Sequence, residues 1–148
     1  MEVVIFCGIQ ATGKSTFFKE HFFSTHVRIS MDLLTTRNRE DLFMEACFKS
    51  WQKFVIDNTN PSKIERQKYI SQAKEYKFKV IGYYFQSVIT DALMRNNQRS
   101  GDALIPEIGI KGTFNRLQLP SKDEGFDELY YVSIGDNGFT VKEWNDEI

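Results

Sequence analysis

Five consecutive apolar residues, Val3 to Cys7, open the chain after Met1 and Glu2. An unbroken run of this kind suits a strand buried on both faces. Polar and glycine positions interrupt it at 8–15, and then Phe17, Phe18, Phe22 and Phe23 recur at helical spacing. The same alternation continues downstream. Apolar runs predict strands over 26–30, 54–57, 78–85 and 129–134. Asn38 reads as a helix N-cap with Glu40 and Asp41 in the first turn, and Leu42, Phe43, Ala46 and Cys47 as the inward face. Asn60 followed by Pro61 predicts the next helix start, with Ile64, Ile70, Ala73 and Tyr76 inward. Ser87 reads as the cap of a helix carrying Val88, Ile89, Ala92 and Leu93. Pro106 opens another helical segment that Leu119-Pro120 ends, and Gly135-Asp136-Asn137-Gly138 predicts a hairpin turn into 139–141. Strands that alternate with helices predict an α/β domain over 1–148, with a mostly parallel sheet of about five strands sandwiched by helices.

Composition narrows this picture only a little. Nineteen basic and 20 acidic side chains leave a formal charge of −1, unlike the basic domains that coat nucleic acid without sequence preference. A local basic groove remains compatible with that balance. The two cysteines, Cys7 and Cys47, sit in a strand run and a helical run, so both read as buried thiols in a reducing, cytoplasmic setting. No leader-like segment precedes the first strand, and no apolar run approaches membrane-spanning length, so no membrane association is expected.

The residues between the first strand and helix carry the chemistry. Gly8-Ile9-Gln10-Ala11-Thr12-Gly13-Lys14-Ser15 fits G-x-x-x-x-G-K-[ST], the phosphate-binding loop of P-loop NTPases, in the strand–loop–helix context that the motif needs. Gly8 and Gly13 let backbone N–H groups approach an anion, and the helix start adds its positive dipole end. Gln10, Ala11, Thr12 and Thr16 fall within the same cradle. Lys14 would reach the β- and γ-phosphates and Ser15 would ligate Mg²⁺. Two carboxylates follow strand ends, where open α/β sheets place ligands. Asp32 there reads equally as a general base for a hydroxyl or as a helix cap, and Asp57 as a metal-supporting acid or a turn residue. Arg95 and Arg99 stand four apart, on one face of a predicted helix, followed by a glycine-containing loop. That pattern suits a lid whose guanidinium groups neutralise phosphate charge.

Taken together, these residues resemble the P-loop kinase module of the polynucleotide 5′-hydroxyl kinases, the phage type and the kinase half of the animal kinase/phosphatase. The resemblance spans nearly the whole chain. It rests on the P-loop, on Ile29-Ser30-Met31-Asp32, on Asp57-Asn58-Thr59-Asn60-Pro61 with Arg66, on the Arg95/Arg99 pair, and on Pro120 with Glu124-Gly125-Phe126. It implies that Asp32 is the base on the 5′-hydroxyl and that Arg95 and Arg99 grip the donor phosphates. Phage-type enzymes carry an arginine three residues after the base. Thr35 stands there in this chain, with Arg37 the nearest substitute.

The expected activity is therefore ATP- and Mg²⁺-dependent phosphoryl transfer to a hydroxyl, with a DNA or RNA 5′-hydroxyl end as first choice. Lys14, Asp32, Asp57, Arg95 and Arg99 are the expected catalytic residues, with Ser15 on the metal. A kinase acting on a nucleoside or sugar nucleotide, and a nucleotide-binding module without catalysis, are the alternatives. No phosphatase, ligase or adapter segment is evident in the 148 residues, and the expectation is a module that stands alone or works beside separate phosphatase or ligase partners.

Overall fold

The computed structural model describes residues 1–147. The order along the chain is β1 (Glu2–Cys7), α1 (Lys14–His21), β2 (Val27–Ile29), α2 (Met31–Leu34), α3 (Arg37–Ser50), β3 (Phe54–Ile56) and α4 (Lys63–Glu75). There follow β4 (Lys79–Phe85), α5 (Ile89–Asn97), α6 (Glu107–Arg116), β5 (Glu128–Gly135) and β6 (Gly138–Glu143). One sheet takes the order β2-β3-β1-β4-β5-β6. Its first five strands are parallel, and β6 returns antiparallel to β5 through the hairpin expected at 135–138. The sheet thus has six strands rather than about five, because the hairpin return pairs along its full length with β5. The α/β class and the largely parallel sheet hold. No helix among the described residues is long and apolar enough to cross a membrane.

Both faces of β1 are covered, as its continuous apolar run requires. Val3 and Ile5 pack with Met44, Phe48, Tyr69 and Ile70 of α3 and α4. Val4 and Phe6 point the other way, onto Phe17 and Phe18 of α1 and its C-cap Phe22. Phe17 is the hub of that second layer, with ring centroids 5.3 Å from Phe85 and 5.2 Å from Phe139, both edge-on. A smaller cluster joins Ile9 and Ala11 of the loop to Ala92 and Ile110, which seats α5 and α6 over the P-loop.

Three helix starts differ from expectation. The N-cap of α3 is Thr36, not Asn38, and its hydroxyl accepts from Arg39 N–H. The helix is rotated accordingly. Leu42 and Phe43 are about half exposed, Ala46 also faces outward, and Glu40, Met44, Cys47 and Phe48 face inward. The N-cap of α4 is Ser62, which forms a capping box with Glu65. Asn60 instead takes a positive φ of 44° and donates to the Phe6 carbonyl at 2.8 Å. Ile70 and Ala73 are buried as expected, but Ile64 is 85% exposed, and Arg66 and Tyr69 take the inward places. Ser87 does not cap α5. Its hydroxyl accepts from Ile9 N–H at 3.0 Å, so it braces the P-loop.

Candidate active site

The P-loop lies between β1 and α1, at the point where the sheet order reverses around β1. Its base is tied down by backbone, with Gly8 N–H donating to the Thr59 carbonyl at 2.9 Å. Gly13, at φ +93°, is the N-cap of α1, and a Cβ there would lie 2.8 Å from the Phe139 ring. Only glycine fits both that conformation and that approach. Thr12 is buried and donates to the Ile9 carbonyl at 2.8 Å, so it stiffens the loop from behind. Gln10 donates to Thr113 Oγ1 at 2.9 Å and ties the loop to α6.

Lys14 is buried at the centre of the loop. Its Nζ donates to the carbonyls of Gly8 at 3.0 Å and Ile9 at 2.6 Å. Burial pushes the Lys14 ammonium down to about 8, partly offset by the carboxylate of Asp57. An anion in the loop would favour the charged form. Ser15, the next residue, faces the sheet end and donates to Asp57 Oδ2 at 3.1 Å.

A cavity of about 330 Å³ opens above this loop. Gln10, Ala11, Gly13, Lys14, Ser15 and Thr16 form its floor. Asp32 and Arg37 line one wall, with Asp57 and Asn58 at the end of β3. Arg99 and Ile105 close over it from the segment between α5 and α6. Among the predicted site residues, Gly8 and Thr12 support the loop from below rather than lining the cavity.

The two arginines do not share a helix. α5 ends at Asn97, and Arg99 follows the C-cap Gln98, its N–H bonded to the Asn96 carbonyl. Arg99 lines the cavity, whereas Arg95 Nη1 donates to the Ala11 carbonyl at 3.3 Å. Asn96 makes the difference. It is buried and pairs both ways with the Ile105 backbone, at 2.6 and 2.9 Å, which ends the helix and folds the connection back.

Ser30, not Asp32, caps α2. The Ser30 hydroxyl accepts from Asp32 N–H at 3.2 Å. The Asp32 carboxylate is therefore free of capping duty, exposed, and turned toward the cavity. Behind it lies a buried polar network that sequence reasoning missed. Asn58 Oδ1 accepts from Met31 N–H at 2.8 Å, and Asn58 Nδ2 donates to Glu40 at 3.0 Å. Glu40, fully buried, also accepts from Arg37 at 3.1 Å, Tyr69 at 3.1 Å and Lys68 at 3.3 Å. Burial and the Glu40 carboxylate both push the Tyr69 phenol up, so it remains a donor. Thr35, the position where phage-type enzymes carry an arginine, has φ +67° and accepts from Arg39 at 3.1 Å.

Arg66 and Glu124 lie away from the cavity. Arg66 is fully buried and forks onto Glu124 at 2.8 and 3.1 Å. Its Nη1 donates to the carbonyls of Asn60 and Pro61 at 2.9 and 3.0 Å. The pair holds the 57–61 turn in place beneath the site. Cys7 and Cys47 are both buried free thiols, each pushed up to about 11 by burial.

A parallel sheet with this order, a P-loop after β1, and carboxylates after β3 beside it and after β2 at the edge define a P-loop kinase fold. No protein-family model matches the chain. Among solved structures, it superimposes on Chaetomium thermophilum Kti12 in complex with ADP-AlF3 with a TM-score of 0.64, at 16% identity and 90% coverage of each chain. It also superimposes on a gluconokinase from Sinorhizobium meliloti with a TM-score of 0.63, at 14% identity over 91% of this chain and 83% of that one. In sequence the chain is similar to the bifunctional polynucleotide phosphatase/kinase of Schizosaccharomyces pombe, 27% identical over 152 residues. That match covers 97% of this chain and 37% of the relative. The resemblance carried by the motifs is thus shared along almost the whole chain. The chain spans about a third of the length of the curated relatives it matches.

Proposed function

We propose that the protein is a kinase that transfers the γ-phosphoryl group of ATP to the 5′-hydroxyl of a DNA or RNA end. The observation that carries this is the single cavity that joins a P-loop lysine, a free carboxylate on Asp32 and the Arg99 guanidinium. A module that only bound nucleotide would need neither the carboxylate nor the lid arginine. The printed name of the Schizosaccharomyces pombe relative supports a polynucleotide acceptor, and the nucleotide analogue bound to Kti12 supports an adenine nucleotide in this fold.

The donor set fits Mg²⁺. Ser15 Oγ and the Asp57 carboxylate are adjacent hard oxygens lining the cavity, 3.1 Å apart. No cluster of three or more His, Cys, Asp or Glu that could hold a metal occurs among the described residues. Mg²⁺ characteristically takes one or two protein oxygens and completes its shell with phosphates and water. When bound, it would neutralise charge on the transferring group. The chain's own residues do the rest. Loop N–H groups and the α1 terminus orient the phosphates. Asp32 accepts the proton as the acceptor oxygen bonds to Pγ and the bond to the bridging oxygen of ADP breaks. Lys14, Arg99 and, through the loop, Arg95 stabilise the charge that develops.

One observation favours a second reading, a small-molecule acceptor. Thr35 holds Arg39 rather than presenting a cation of its own three residues after Asp32. Transfer from γ-labelled ATP separates the readings, using a panel of 5′-hydroxyl DNA and RNA oligonucleotides, nucleosides and sugar nucleotides. Label on the 5′ end of an oligonucleotide is the expected result. Label on a small acceptor alone moves the protein to the second reading, and no label on any acceptor overturns the kinase assignment for both classes.

A further inference from the structure

Arg28 stands in the middle of β2, the edge strand of the sheet, and belongs to none of the motifs. Its Nε donates to Asp57 Oδ2 at 2.8 Å and its Nη2 to Ser15 Oγ at 3.2 Å. Ser15 Oγ donates to the same Oδ2 at 3.1 Å, which closes a triangle of three side chains. Ser15 and Asp57 line the cavity, and Arg28 reaches them from the sheet edge, with 28% of its side chain exposed.

The triangle has a consequence for cations. A hydroxyl has one proton and two lone pairs. The Ser15 proton goes to Asp57 and one lone pair accepts from Arg28, so one lone pair remains for the cavity. The Asp57 carboxylate, nearly buried at 2% side-chain exposure, already has a cationic partner. A second cation on these oxygens would sit a few ångströms from a fixed positive charge. Coulomb repulsion at such separations is substantial even in a high dielectric.

We propose that Arg28 is a built-in counter-cation that keeps a divalent metal off the Ser15–Asp57 pair until nucleotide phosphates add negative charge. Metal then enters with the nucleotide rather than ahead of it. Arg28 is a positioning residue in this account, since it touches the two metal-side oxygens and lies outside the cavity. The inference rests on the kinase reading, because it takes Ser15 and Asp57 as the metal side of the site.

The test is direct binding of Mn²⁺, read by loss of the free-ion electron paramagnetic resonance signal, without nucleotide and then with ADP. Wild type is compared with Arg28→Gln and Arg28→Met, which remove the charge, and Arg28→Lys, which keeps it. Thermal unfolding confirms that each is folded. Nucleotide-free Mn²⁺ affinity should rise about tenfold in the neutral variants and stay near wild type in Arg28→Lys. Unchanged or weaker Mn²⁺ binding in a folded neutral variant, with ADP binding intact, overturns the role of Arg28 alone. Failure of the wild type to bind ADP with or without metal removes the kinase reading, and this inference with it.

Discussion

The two walls of the cavity are built differently. On the P-loop side most of the bonds that hold the loop have a backbone group at one end or both: Gly8 N–H on the Thr59 carbonyl, Ile9 N–H on Ser87, and Thr12, Lys14 and Arg95 on the loop carbonyls. On the β2 side they are held by side chains. Met31 rests on Asn58, Asn58 on Glu40, and Arg37, Tyr69 and Lys68 converge on that one carboxylate. A backbone cradle fixes a shape common to all phosphates and tolerates change in most side chains. A side-chain network is sensitive to single substitutions, and it can be retuned without disturbing the P-loop side.

Substitutions should separate the two walls. The largest effect belongs to the charges on the donor phosphates. Lys14→Ala and Arg99→Ala should each lower turnover about 10³-fold or more while the protein keeps its cooperative unfolding. Near-normal turnover in either would remove that residue from the mechanism. Glu40→Ala strikes the other wall. It leaves Asn58, Tyr69 and Arg37 without their shared acceptor, at a cost of about 3 kcal/mol in urea unfolding. The KM for the acceptor should rise while ATP affinity holds. Equal losses of ATP and acceptor affinity would show that the walls are not independent.

Protonation of Lys14 gives a smaller, graded effect. Its folded value of about 8 lies below the ordinary 10.5. Burial of the ammonium therefore costs stability in the nucleotide-free protein below pH 8, and the cost fades as pH rises through 8 toward 10.5. Phosphate binding needs the charged form. ATP affinity should be level below pH 8 and fall above it by up to about tenfold per pH unit, as calorimetric titrations between pH 7 and 9.5 would register. A flat profile across that range would place the ammonium outside the phosphate contacts. The smallest effect is Thr35→Gly. A β-branched residue at φ +67° is strained, so glycine should add about 1 kcal/mol of stability without loss of ATP binding. A lower melting temperature would mean that the hydroxyl contact with Arg39 outweighs the strain.

The contrast between the walls also explains what could be read from the chain. The P-loop wall is contiguous, and 8–15 carry its backbone demands in the positions of two glycines, a lysine and a serine. The β2-side wall is assembled from distant residues. Leu42, Phe43, Ala46 and Cys47 make a plausible helical face, and nothing local shows that a buried Glu40 turns α3 away from it. Burial of a glutamate is rare, and only the donors gathered from Arg37, Asn58, Lys68 and Tyr69 make it stable. Arg28 escaped notice for a similar reason, since its partners lie 13 and 29 residues away. The choice between base and cap at Asp32 turned on Ser30, which starts α2 two residues earlier and accepts from the Asp32 N–H itself, so the Asp32 carboxylate has no cap to make. The motif residues Arg66 and Glu124 were legible as a pattern, but their pairing beneath the 57–61 turn is visible only in the fold.

The most direct test of the account is the initial rate of label transfer from γ-labelled ATP to a 5′-hydroxyl oligonucleotide by Asp32→Asn, with ATP affinity measured on the same preparation. The Asp32 carboxylate is exposed and lines the cavity, so its loss should spare the fold. The account predicts a fall in turnover of about 10²–10⁴-fold at unchanged ATP affinity. Turnover within a few fold of wild type would contradict it, because Asp32 would then not be the group that accepts the acceptor's proton.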